Sequence, residues 1–162
     1  MSLFQTMANL PDPQPLLDLN EGFRRSKTMF VALSIGVFER LHEAPATAAA
    51  MAHSLNAHPG AIESLLDACA ALGLLRKENG MYANEAVAEV YLYSGSAYSL
   101  HAYVRYSDET LYPMWANLTD AVREGSPRWM QTFGLDGPIF RASSGPNRRC
   151  TISRVACTAL GC

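Results

Sequence analysis

Apolar side chains recur along the first part of the chain at helical spacing. Leu16, Leu19, Phe23, Phe30 and Leu33, with Ser26 between them, follow one another at steps of three and four residues. That spacing draws one stripe along a helix of about 20 residues. Pro15 suits the start of this helix, because a proline in the first turn gives up no internal hydrogen bond. Val31, Ala32 and Ile35 widen the stripe, so the helix is expected to meet more than one neighbour, a hint of a partner chain. Gly36 breaks the run, and VFERL follows as a short helix that presents Val37, Phe38 and Leu41.

Thr47 stands before Ala48, Met51, Ala52 and Leu55, a helical set with a hydroxyl placed to cap the first amides. Pro59 then opens a further helix with Ile62, Leu65, Leu66, Cys69 and Leu72 on one face and Glu63 and Asp67 on the other, and Gly73 is placed to end it. Leu74 to Lys77 and Met81 to Ala83 read as two strands joined at Asn79-Gly80, a pair that tolerates the positive φ angles of a tight hairpin. Asn84 is placed to cap a short helix carrying Val87, Val90 and Leu92. A last helical region is predicted from about Tyr98 to Glu124, kinked at Pro113, with Leu111, Trp115, Leu118 and Val122 as its stripe and Gly125 as its stop. Helix, helix, hairpin is the order of a winged helix-turn-helix. The pattern therefore predicts an all-α domain with a small two-stranded β-wing.

The organisation expected is a loose arm at residues 1–14, a domain at 15–135 and an atypical tail at 136–162. The tail is rich in small residues, arginine and cysteine without a durable period, and is expected to pack poorly, as a stretch read in a shifted frame or spliced from elsewhere would. With 162 residues, 49% of them hydrophobic, the chain supports one domain with a real core. Thirteen basic against fifteen acidic residues give a net charge of −2, which disfavours a surface built for a polyphosphate backbone. No apolar run reaches the roughly 20 residues that span a bilayer, and the first residues lack a signal pattern, so a cytoplasmic protein is expected. The four cysteines, Cys69, Cys150, Cys157 and Cys162, show no CxxC pair and read as free thiols.

Candidate chemistry is sparse. His42, His53, His58 and His101 lack ligand spacing, so no metal is expected. Arg24, Arg25 and Lys27 read as a solvated face whose stems cover apolar neighbours. Asn117-Leu118-Thr119 matches a glycosylation pattern but falls within a predicted helix. Tyr103, Tyr106, Tyr112, Met114 and Trp115 form an aromatic group that either packs core and interface or walls a flat apolar ligand. A winged helix also raises a DNA-binding regulator as an alternative. The helix that would enter the groove, Pro59 to Leu72, has no lysine or arginine, leaving Arg76 and Lys77 at the wing as the only favourable charges.

Several stretches together resemble a known family. LLDLNEGFRRSKTMFVALSIGVFERL, AIESLLDACAALGLLRKENGMYANEAVAEVYL, LTDAVREG and QTFG are similar, in order and spacing, to the N-terminal domain of the hydroxyindole (acetylserotonin) and plant O-methyltransferase superfamily. The likeness covers about residues 15 to 135. It implies a domain that pairs with its twin in an intertwined homodimer, with Leu16, Leu19, Phe23, Phe30 and Leu33 as interface candidates. It also implies that the domain helps close the pocket of a Rossmann-like domain that binds S-adenosylmethionine and a small aromatic hydroxyl substrate, with Tyr103, Tyr106, Tyr112, Met114 and Trp115 as pocket candidates. The 11 glycines never cluster into a methyl-donor turn, so no cofactor-binding or catalytic residue is expected in this chain, which is read as truncated before that domain and inactive alone. A short product that pairs with full-length enzyme, as an interaction protein, is a further alternative.

Overall fold

The computed structural model of the chain describes residues 10–134. Most of the predicted arm and all of the tail after 135 therefore lie outside the described residues, as do Cys150, Cys157 and Cys162.

The first helix, α1 (Gln14–Ser34), carries Pro15 in its first turn and ends against Gly36, whose φ of +84° turns the chain sharply into α2 (Val37–Glu43). Its stripe is buried only in its second half, through Phe30, Ala32 and Leu33. Helix α2 sinks Val37, Phe38 and Leu41 into the same core. A two-residue strand, β1 (Ala46–Thr47), leads into α3 (Ala48–Ser54), where the Thr47 hydroxyl accepts the Ala50 amide at 3.2 Å. Helix α4 (Pro59–Ala71) buries Ile62, Leu66 and Cys69. It ends as expected at Gly73, with the amides of Gly73 and Leu74 bonded back to the carbonyls of Ala70 and Cys69.

Strands β2 (Leu75–Glu78) and β3 (Met81–Asn84) form the hairpin, with Asn79 and Gly80 both at positive φ. The wing is larger than predicted: β1 pairs antiparallel with the other edge of β3, placing Ala46 opposite Tyr82 and Thr47 opposite Met81. Two residues are too few for apolar and polar positions to alternate visibly, so periodicity had nothing to report there.

Asn84 has a different job from the one its position suggests. It is buried at the end of β3, where its side-chain amide donates to the Phe38 carbonyl and to Glu89, both at 2.9 Å. Glu85 instead occupies the residue before α5 (Ala86–Tyr91), with no side-chain cap.

The expected long helix from Tyr98 is a series of pieces. Helix α6 (His101–Tyr106) runs into a widened turn at Ser107–Leu111, where the Tyr112 amide bonds to the Ser107 carbonyl five residues back. Helices α7 (Tyr112–Trp115), α8 (Leu118–Glu124) and α9 (Trp129–Phe133) follow. Pro113 accounts for the break, since its ring has no amide to give and crowds the preceding turn. None of the residues of α7, α8 or α9 is buried, so the stripe of Trp115, Leu118 and Val122 faces outward. No helix among the described residues is long and apolar enough to cross a membrane.

The core is one cluster built from α1, α2, α3, α4, the sheet, Ala88, Leu92 and Val104. Phe38 at its centre is fully buried. Phe38→Ala is expected to destabilise the fold by about 3–5 kcal/mol, lowering the urea midpoint, whereas Val122→Ala on exposed α8 should move it by less than about 0.5 kcal/mol. Equal effects would show that the core lies elsewhere.

Candidate functional site

Between Leu10 and Asn20 every residue of the chain is exposed, yet this stretch includes the first two turns of α1. Leu16 and Leu19 are 71% and 79% exposed, and Leu17 and Phe23 beside them are also open. Together these side chains form an exposed apolar patch among the described residues. The other two interface candidates, Phe30 and Leu33, lie in the core of their own chain.

Where α1 enters the core it meets the C-terminal segment. The Lys27 ammonium donates to the Asp108 carboxylate and lies 5.2 Å from the centre of the Tyr112 ring. Phe30 meets the same ring edge-on, with centroids 6.2 Å apart. Phe23, Lys27, Val31, Leu65 and Tyr112 line an open hollow of about 360 Å³ there. A second hollow, of about 310 Å³, is lined by Leu111, Met114, Trp115, Leu118, Ala121, Pro127 and Arg128.

The predicted aromatic group is thus divided. Tyr112 belongs to the first hollow and Met114 and Trp115 to the second, while Tyr103 and Tyr106 line neither. Sequence reasoning missed Asp108, Leu65 and Arg128, which arrive from positions with no local pattern linking them to the rest. Arg128 is nearly buried and ties the α8–α9 turn together, donating to Glu124 at 2.6 Å and to Gln131 at 3.2 Å. Asn117, of the glycosylation-like triplet, precedes α8 and donates to the Thr132 hydroxyl at 3.0 Å.

Elsewhere several charged groups find partners within the chain. Arg24 and Arg25 pair with Glu21 and Asp18 along α1. His101 lies 3.6 Å from Glu39, and His42 contacts Glu89 while stacking on Tyr93. At the wing, Arg76 donates to the Asn84 carbonyl, and Lys77 and the Tyr82 hydroxyl both donate to Asp67 at 2.6 Å. The hydrogen bond from Lys77, then that from Tyr82, hold the Asp67 carboxyl below its ordinary range. The Asn84 amide does the same for Glu89, helped by His42. Burial pushes the Cys69 thiol up to about 11. Among the described residues no group of three or more His, Cys, Asp or Glu is placed to hold a metal ion.

Known proteins share this arrangement of helices around a small antiparallel sheet. The family model of the O-methyltransferase dimerisation domain matches residues 17–94. Residues 17–94 belong to the O-methyltransferase dimerisation-domain family. The chain is 37% identical over 131 residues to acetylserotonin O-methyltransferase of Mus musculus, covering 77% of this chain and 34% of that enzyme. It is 39% identical over 125 residues to a probable bifunctional dTTP/UTP pyrophosphatase/methyltransferase protein of Homo sapiens, covering 76% of this chain and 20% of that protein. It superposes on the crystal structure of human N-acetylserotonin methyltransferase in complex with SAM, with a TM-score of 0.81 and 32% identity, over 94% of this chain and 46% of that one. The chain thus spans about a third of the acetylserotonin O-methyltransferases it matches, 34% in the mouse enzyme.

The described part of the dimerisation domain does not fit the methyl donor itself. Such a nucleoside is held at a glycine-lined turn that follows a parallel strand. The three strands here are short and antiparallel, and Gly36, Gly73, Gly80, Gly125 and Gly134 each serve a separate helix end or hairpin turn.

A carboxyl whose pKa falls on folding supports the fold above its unfolded pKa, and that support is lost as acid protonates the folded form. The stability difference between the natural chain and Asp67→Asn is therefore expected to be full near neutral pH and to shrink below about pH 4, in urea titrations at stepped pH. A difference that instead grows with acid would refute the assignment.

Proposed function

We propose that this chain is the pairing and pocket-closing module of an S-adenosylmethionine-dependent small-molecule O-methyltransferase. Two copies associate through α1 and the C-terminal helices, burying more than about 2,000 Å² as obligate dimers commonly do. The first turns of α1 carry this reading: their leucines stand exposed among the described residues. Helical segments that short are marginal in water without tertiary partners, so a second body on that face stabilises the helix it meets.

In the complete enzyme, the same module shapes the entrance of a pocket for a small aromatic hydroxyl compound. Tyr112, Met114 and Trp115 are the side chains best placed to face it, since they line the two hollows. The Tyr103 ring is open on the same segment and Tyr106 is half-buried. In this reading the module orients and encloses the substrate while the donor is held elsewhere. The reading places the enzyme in the cytoplasm, without nucleic-acid or membrane partners.

Light scattering on a sizing column should give twice the 17.7 kDa chain mass, and the double variant Leu16→Glu/Leu19→Glu should run as a folded monomer. A natural chain that is monomeric at all concentrations would remove the reading. Calorimetric titration of the 162-residue chain with S-adenosylmethionine should show no saturable binding. Micromolar affinity would mean that the chain holds the donor by itself.

A further inference from the structure

The widened turn at Ser107–Leu111 joins two bodies of unequal attachment. Before it, α6 is anchored: Val104 is buried in the core and His101 faces Glu39. After it, α7 to α9 bury none of their own residues. They are instead stitched to one another, by Asn117 on Thr132, Gln131 on Asp120 and the Arg128 contacts around the α8–α9 turn. Such a segment holds its internal shape while gripping the core weakly.

The turn itself shows a group left without a partner. Ser107, at the α-wound end, donates its hydroxyl to the Tyr103 carbonyl four residues back, the usual arrangement in a helix. Thr110, 1% exposed, sits where the ladder has widened, and its hydroxyl has no partner among the described residues. A buried hydroxyl left unpaired destabilises the geometry that strands it. Rewinding the turn to α spacing would bring the Thr110 hydroxyl under the Tyr106 carbonyl. It would also rotate the following helices by several tens of degrees about their axis.

One ion pair opposes that change. Lys27 on α1 holds Asp108, inside the turn, and sits over Tyr112 immediately beyond it. Among the described residues this is the only salt bridge between α1 and the C-terminal segment.

We propose that Ser107–Leu111 is a two-position hinge, clamped in its wide form by Lys27, about which the helices from Tyr112 to Phe133 turn as a unit. The clamp stands at the junction between the exposed and buried halves of α1. Whatever covers the exposed half therefore acts on a helix whose next turn controls the hinge.

Hydrogen exchange on the full chain, read by mass spectrometry, tests this. In Lys27→Met and in Asp108→Asn, amides from Tyr112 to Phe133 should exchange about fivefold faster, while those of α2 to α4 stay unchanged. Restoring the pair in reverse, as Lys27→Asp with Asp108→Lys, should return the slower rates. Thr110→Val has no hydroxyl to satisfy, so adding it to Lys27→Met should slow exchange again. The proposal is overturned if the arm amides of Lys27→Met match the natural chain. It is equally overturned if α2 to α4 lose protection to the same degree or the variant fails to fold, because the pair would then support the whole domain.

Discussion

A helix that is half inside its own core organises this molecule. The burial of Phe30, Ala32 and Leu33 anchors the second half of α1 against α2 and α4. With that end fixed, the first turns are committed to solvent whatever their side chains are, and there they carry leucines. The constraint is geometric: a straight helix of 21 residues is about 30 Å long, and the core holds only the end that carries Phe30, Ala32 and Leu33.

Much of the fold was readable from spacing. The stripe of α1, the α4 face with Ile62, Leu66 and Cys69, and the Asn79-Gly80 hairpin all emerge from local periods and turn chemistry, and the structure places them so. Periodicity says which residues share a face, but not what covers it. Leu16 and Leu33 belong to one stripe and end in opposite environments, and the stripe of Trp115, Leu118 and Val122 has the look of a core face while lying open. Asn84 was misplaced for a related reason. Its capping chemistry is local, whereas its actual partner, the Phe38 carbonyl, is 46 residues away.

The candidate site was less legible than the fold. Lys27 and Asp108 are separated by 81 positions, so nothing in either neighbourhood announces their pairing. The five aromatic and methionine candidates were grouped by closeness along the chain. A widened turn and a proline then send Tyr112 to one hollow and Met114 and Trp115 to another, leaving Tyr103 and Tyr106 in neither, because each irregularity changes the direction in which later side chains leave the helix.

The buried thiol of α4 has a use that its chemistry dictates. Cys69 is fully enclosed, and its pKa of about 11 leaves almost no thiolate at neutral pH, so it is doubly protected from electrophiles while the domain is closed. Its rate of alkylation, read at the Cys69 peptide, is consequently a native reporter: it measures how often the centre of the domain opens, with no substitution introduced.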